Sequence, residues 1–201
     1  MQYQKHSKER ATRGHGLLEV LLAKKRASKA NSLIPKSFRS GRVLDIGCGS
    51  FPYFLNSIDF KEKYGIDSSI NNNLFIDSSL HLKNINLESQ PLPFGDNFFD
   101  VVSMLAVFEH IEEAKLPFIL GEIHRVLKKE GIFLITTPSP WSNFILLILS
   151  KLGLVSKIEI DDHKQYLSPN RVRYFLKKSG FSRVKSGFFE VFLNMWFISK
   201  K

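Results

Sequence analysis

The chain has 201 residues, 43% of them hydrophobic, with 29 Lys and Arg against 19 Asp and Glu. That content supports one sizeable core, so a single domain over residues 1–201 is expected. The longest purely aliphatic or aromatic run, Phe144 to Leu149, is far short of the roughly 20 residues that span a bilayer, and Met1 to Arg10 are too polar for a signal peptide. The lone cysteine, Cys48, excludes an internal disulfide. A soluble, cytoplasmic protein is therefore expected.

The charge is unevenly placed. Residues 1–42 carry eleven Lys/Arg and two Asp/Glu, residues 43–150 seven and thirteen, and residues 151–201 eleven and four. The local balances of +9, −6 and +7 lie within an overall +10. Two basic ends thus flank an acidic middle. They read either as solvated lysines or as surface that draws an anionic acceptor, a nucleic acid or a membrane.

In chain order, residues 1–40 form a basic segment in which Leu17 to Ile34 reads as a helix. Its apolar positions are Leu17, Val20, Leu21, Ala27 and Ala30, with Lys24, Lys25, Arg26 and Lys29 on the other side. Pro35 ends it and Ser40-Gly41 turns the chain into a buried strand, Val43 to Ile46. Lys63 to Ile66 is a second strand ending on Asp67, and Phe99 to Leu105 reads as a central strand. A helical stripe of Ile111, Ala114, Phe118, Ile119, Ile123 and Leu127 predicts a helix over Glu109 to Lys129. Gly131 stops it ahead of a strand, Ile132 to Thr136. Ser168 caps a further helix with Pro169 at its first position, and Gly180 closes it. Ser182 to Glu190 and Phe192 to Ser199 read as two last strands, close enough to pair antiparallel.

Strands alternating with helices predict an α/β fold with a mostly parallel sheet covered on both faces. Ligands in such sheets bind at the carboxyl ends of strands, which singles out the turns after Ile46, Ile66, Asn86 and Leu105. In the first of these, Asp45-Ile46-Gly47-Cys48-Gly49, the glycines let backbone approach a ligand closely. A dinucleotide fingerprint wants a third glycine where Pro52 stands. The Asp45 carboxylate would repel a pyrophosphate but attract a cationic amine. S-adenosylmethionine carries an amine and a sulfonium and no phosphate, so the charges favour it over NAD. Asp67, eighteen residues after Gly49, is placed to accept from ribose hydroxyls.

Val43 to Gly49, Gly65-Ile66-Asp67, Leu92 to Asp100, Glu109-His110 and His124 to Gly131 together resemble class I S-adenosylmethionine-dependent methyltransferases. The similarity is closest to the small-molecule branch that includes ubiquinone and menaquinone biosynthesis enzymes, and it covers about residues 40–137. It implies a Rossmann-like, seven-stranded sheet whose last strand is antiparallel. It also implies that S-adenosyl-L-methionine is the cofactor. Asp45, Gly47, Cys48 and Gly49 would surround its methionine part and Asp67 its ribose. Asn86 and the backbone of Leu87, with Glu88 as a substitute, would meet the adenine, and Leu105 and Ala106 would line the methionine side. Phe51 stands where many relatives carry another glycine. It would either narrow the cofactor pocket or turn into the core.

Methyl transfer from a sulfonium depends mainly on holding the nucleophile close and aligned, and needs a base only when the acceptor must lose a proton. His110, just past the central strand, is the first candidate base and His163 the second. Glu109-His110 also resembles the end of an E-x-x-E-H metal motif, but its first glutamate falls at Ala106, so no functional metal is expected. Residues 141–166 read as an acceptor-side insertion. Within it, Trp141, Phe144, Leu146, Leu147, Leu149 and Leu152 would form an apolar lid over a lipophilic acceptor or dip into a membrane surface. There is no aromatic-basic interleaving, and the N-P-P-Y-like tetrapeptide of base-methylating enzymes is replaced by Leu105-Ala106-Val107-Phe108. A small-molecule acceptor is therefore expected over nucleic acid. An RNA methyltransferase and a non-catalytic S-adenosylmethionine-binding protein are the alternatives.

Overall fold

The computed structural model describes residues 18–70, 79–151, 153–154, 164 and 166–201. Seven strands form one sheet: β1 (Arg42–Ile46), β2 (Glu62–Asp67), β3 (Leu80–Asn84), β4 (Phe99–Leu105), β5 (Leu127–Pro138), β6 (Ser182–Phe189) and β7 (Asn194–Lys200). Their order is β3-β2-β1-β4-β5-β7-β6. Neighbours from β3 to β5 are parallel, whereas β7 runs antiparallel to both β5 and β6. The four-residue turn 190–193 is too short for a crossover and forces that reversal. This is the expected Rossmann-like sheet.

Among the described residues the α-helices are α1 (Glu19–Leu33), α2 (Tyr53–Ser57), α3 (Leu116–Val126), α4 (Ser142–Lys151) and α5 (Pro169–Lys178). Side chains alternate across the strands, so each strand feeds two cores. Val43, Val101 and Leu134 pack with Ala27, Ala30, Phe54 and Leu55 on the α1/α2 face. Leu44, Val102, Met104, Phe133 and Ile135 pack with Ile119, Ile123, Val172 and Leu176 on the α3/α5 face. From β1 the chain builds outward to β3, then returns to β4 on the other side of β1. The carboxyl ends of β1 and β4 therefore flank a topological switch point, where a crevice opens.

The predicted helix over Glu109 to Lys129 is not continuous. Short 3-10 turns at Phe108–His110 and Glu113–Lys115 precede α3, which has Pro117 in its first turn. Proline has no N–H to give and stabilises a helix start, so regular helix begins there. At the other end Leu127 pairs with Phe99 across a bulge, and Leu127 to Lys129 belong to β5. Tertiary pairing overrides the helical stripe at this end. The segment after β5 is helical as α4, and α5 starts on the Ser168 cap, whose Oγ accepts from Arg171 N.

Two of the quoted motifs are one physical device. The Arg125 guanidinium donates to the Leu92 and Phe94 carbonyls and to the Glu122 and Asp96 carboxylates, pinning residues 92–96 to α3. Asp100 takes Arg42 N at 2.8 Å and Lys128 Nζ at 2.8 and 2.9 Å, joining the starts of β1, β4 and β5. Gly41 is required beside it, because a Cβ there would lie 2.3 Å from the Asp100 carboxylate.

Candidate active site

The turn after β1 hangs on β2. Gly47 N and Cys48 N both donate to the Ile66 carbonyl, and Gly49 N donates to Asp67 Oδ2 at 2.9 Å. Gly47 and Gly49 sit at φ 74° and 73°, in the left-handed region that glycine enters without strain. A Cβ at Gly47 would also strike Val107 Cγ2 at 2.2 Å, so this turn and the loop after β4 are packed directly together. At Gly49 a Cβ would meet only the Phe51 carbonyl oxygen, at 4.0 Å. Its face is open, and its backbone can be approached by a ligand.

Two carboxylates frame the turn. Asp45 is buried and accepts from Ser103 Oγ at 2.7 Å, an arrangement set by the register that places Ser103 opposite Asp45. Burial, with Asp67 nearby, pushes the Asp45 carboxyl up to about 7 despite the Ser103 hydrogen bond. Such a group favours a cationic partner, which restores its charge. Asp67 at the end of β2 is oriented by Gly49 N and, through Oδ1, by Ser69 N at 2.8 Å and Ser69 Oγ at 2.6 Å. Cys48 is buried beneath the turn with its thiol pushed well up by burial. Gly65 makes room for it, since a Cβ there would stand 2.7 Å from Cys48 Sγ. A reactive-thiol role is thereby removed.

A cleft of about 70 Å³ opens beside the turn, lined by Asp45, Gly47, Cys48, Phe51, Tyr53, Phe54, Leu105 and, from α1, Ala23, Arg26 and Ala27. Phe51 therefore faces the cleft and narrows it. Ala106, after β4, holds φ 56° and donates its N–H to the Thr136 carbonyl. On the outer side, Asn86 is exposed and its Oδ1 accepts from Glu88 N, while Leu87 packs against the core. Glu88 is ion-paired with Lys115 at 2.5 Å and Lys164 at 3.0 Å, which turns it toward those cations.

His110 is half-buried on the 3-10 turn after β4, outside the residues that line the cleft. Glu109 beside it is buried and accepts from Thr137 Oγ1 at 3.1 Å, with burial raising its carboxyl above the usual range. It is thus turned into the fold. Among the described residues no three His, Cys, Asp or Glu side chains gather as a metal set. Tyr166 Oη donates to Asn143 Oδ1, tying the approach to α5 to α4. His163, Leu152 and residues 155–163 lie outside the described residues.

Arg26, Ser103 and Phe51 are the site residues that sequence reasoning passed over or left open. The signal for Arg26 is weak: Ala23, Ala27 and Ala30 make a narrow small-residue face that lets α1 approach closely, and Arg26 adjoins it. Asp45, the open Gly49 backbone and oriented Asp67 together fit S-adenosylmethionine. The set offers a buried carboxylate, Asp45, to an amine and an oriented one, Asp67, to hydroxyls.

The family model described as "Methyltransferase domain" matches residues 18–186. "Uncharacterized protein MJ0638" from Methanocaldococcus jannaschii is 31% identical over 147 residues, covering 72% of this chain and 58% of its own length, so the chain spans somewhat over half of that relative. A solved S-adenosylmethionine-dependent methyltransferase from Archaeoglobus fulgidus shares the fold at 20% identity, with TM-score 0.67 over 89% of this chain and 94% of its own. Phosphoethanolamine N-methyltransferase 2 of Haemonchus contortus, solved in complex with S-adenosyl-L-methionine, is similar at 15% identity, with TM-score 0.62 over 89% of this chain and 52% of its own. By the reach of the family model along it, this chain belongs to the methyltransferase-domain family.

Proposed function

We propose that the chain is one S-adenosylmethionine-dependent methyltransferase unit acting on a small acceptor, lipophilic or anionic, as the ubiquinone- and menaquinone-biosynthesis branch does. The observation that carries this reading is the pairing of buried Asp45 with oriented Asp67 around the Gly47–Gly49 turn, open at Gly49, at the switch point between β1 and β4. Bound there, the cofactor supplies a methyl group already activated on a sulfonium. The protein's own task is then alignment and exclusion of water.

In this reading Asp45 receives the donor's amine, Gly49 leaves its backbone side open, and Asp67 receives the ribose hydroxyls. Leu105 and Ala106 form the wall next to the methionine side, and Asn86 with the Leu87 backbone marks the adenine end. His110 is the base for an acceptor that must lose a proton, with His163 the second candidate. The acceptor enters from the side of residues 141–166, where Trp141, Phe144 and Leu147 are exposed and apolar. No described helix is long and apolar enough to cross a membrane, and we place the enzyme in the cytoplasm.

The test is transfer of a labelled methyl group from the donor into three fractions: organic-extractable small molecules, water-soluble small molecules and RNA. Label in either small-molecule fraction is the expected result, and the fraction distinguishes a lipophilic from an anionic acceptor. Label in RNA, with binding that weakens steeply with salt, would establish the RNA reading instead. No label in any fraction from a protein that still binds S-adenosylhomocysteine would make it a donor-binding protein without transferase activity.

A further inference from the structure

The carboxyl edge of the sheet carries an apolar surface that the donor site does not use. Val191 and Phe192, in the β6–β7 turn, are 89% and 62% exposed, and Phe144 on α4 is 72% exposed. Trp141, Leu147, Ile148 and Phe188 are exposed beside them. Their centre is a contiguous aromatic run: Trp141 lies against Phe188 at 5.3 Å and Phe188 against Phe192 at 5.7 Å, the rings tilted in both pairs. Scattered apolar residues need no explanation, but a contiguous patch of this kind marks an interaction surface.

The turn is held out against its own backbone preference. Glu190, Val191 and Phe192 have φ of 52°, 53° and 66°, three consecutive non-glycine residues in the left-handed region, one of them β-branched. It persists because the neighbouring segment over-determines it. Ser139 Oγ and Trp141 Nε1 both donate to the Phe192 carbonyl, at 2.6 and 3.0 Å, and Ser139 N donates to the Leu193 carbonyl. Asn194 Nδ2 donates to the Glu190 carboxylate, which is turned inward. The arrangement displays Val191 and Phe192 as a fixed wedge rather than a loose loop.

Charge says what the wedge meets. Leu18 N donates to the Leu154 carbonyl, so the start of α1 lies against the chain just past α4. Lys24 and Lys25 are exposed on α1, Lys29 stands over the Trp196 ring of β7, and Lys151 is exposed at the end of α4. The chain as a whole carries +10. An apolar wedge and helix face, with exposed Lys151 on the same helix and Lys25 of α1 within electrostatic reach of Glu190 in the turn, suit an anionic bilayer surface, with the rings at the headgroup–acyl boundary and the lysines at lipid phosphates. We infer that α4 and the β6–β7 turn form a docking surface for anionic membranes. The inference shares Trp141, Phe144 and Leu147 with the acceptor side proposed above, but its vesicle test does not depend on which acceptor is methylated.

Flotation of the full chain with vesicles tests it. The protein should float with vesicles of equal parts phosphatidylcholine and phosphatidylglycerol, and poorly with phosphatidylcholine alone. Val191→Ser with Phe192→Ser should lower the partition coefficient by about tenfold or more through lost apolar burial. Lys24→Glu with Lys25→Glu should abolish the preference for the anionic vesicles. Both double variants should bind S-adenosylhomocysteine as the wild type does, which separates docking from folding and from the donor site. Wild-type protein that stays with the soluble fraction in both mixtures would overturn the inference. So would an apolar variant that binds S-adenosylhomocysteine normally and floats as well as wild type. A wild-type dimer that dissociates in that variant, with no vesicle binding, would assign the patch to a second copy instead.

Discussion

Asp67 and Asp45 are the two residues whose geometry makes the sharpest predictions. Asp67 stands at the end of β2 and accepts from Gly49 N through Oδ2 and from Ser69 N and Oγ through Oδ1, so Asp67→Asn removes the charge and also sets its amide nitrogen against one of these donors. Losing charge-assisted hydrogen bonds of roughly 1.5–3 kcal/mol lowers S-adenosylhomocysteine affinity on the order of 10- to 100-fold. Titration calorimetry checks this, with unchanged far-ultraviolet circular dichroism as the control for folding. Asp45 acts differently, because its carboxyl is raised from 3.8 to about 7. A raised folded pKa contributes stability that is present below the unfolded value and lost as pH rises through 7. The ligand-free wild type should therefore melt progressively lower than Asp45→Asn as pH rises from about 4 to 7, and by a constant margin above that. Each 1 kcal/mol of that difference is roughly 2–4 °C in a chain of this size. Donor affinity should show the opposite sense, falling in the wild type below about pH 7 by up to roughly tenfold per pH unit, with Asp45→Asn flat and weak. A melting temperature for Asp45→Asn below that of the wild type at pH 8 would contradict this account.

At the scale of elements, the site depends on joints between segments distant in sequence. Arg125 binds α3 to residues 92–96, the stretch that leads into β4 and so sets where Leu105 and Ala106 emerge. Arg125→Ala strips donors from two backbone carbonyls and two carboxylates at once. Its side chain is 31% exposed, so solvent screens part of the loss, and a destabilisation of about 2 kcal/mol is expected. Arg125→Lys should recover only part of it, since one ammonium cannot reproduce the planar fork. Thermal melts of the two variants beside the wild type measure both effects. The predicted helix at Glu109 to Lys129 illustrates the same dependence. Its apolar stripe is present, yet Pro117 and the pairing of Leu127 with Phe99 decide where helix begins and ends.

At the scale of the molecule, the cleft beside Asp45 lies between the glycine turn and α1, the helix that precedes β1. Ligand binding should therefore stabilise α1 and the stretch from β1 through α2 together. At a hundredfold excess over Kd, S-adenosylhomocysteine should add about 2.7 kcal/mol to the folded state. Hydrogen exchange should slow in α1 and in residues 47–57 while α5 and β6 change little. Protection confined to α5 and β6 would instead point to the larger cavity of about 270 Å³ beside Arg173, Ser186 and Gly187 as the binding site.

Much of this was legible in the amino-acid order alone, where the physics is local. Alternating apolar residues produce strands, the Ser168-Pro169 pair starts a helix, and Gly47 and Gly49 permit left-handed backbone before a strand-end acid. These follow from near neighbours in sequence, and they were enough to foresee a mostly parallel α/β sheet with its ligand turns at the strand ends; the Rossmann-like, seven-stranded form came from the family resemblance. The rest waits on contacts between distant segments. That Ser103 faces Asp45 is a matter of strand register, and that Phe51 turns into the cleft is a matter of packing space. That α1 brings Arg26 over the turn depends on how a helix lies across a sheet. The wedge at Val191 and Phe192 exists only because Ser139 and Trp141, some fifty positions earlier, hold its carbonyls. Sequence determined which backbone conformations were cheap; only the tertiary structure decided which side chains would meet.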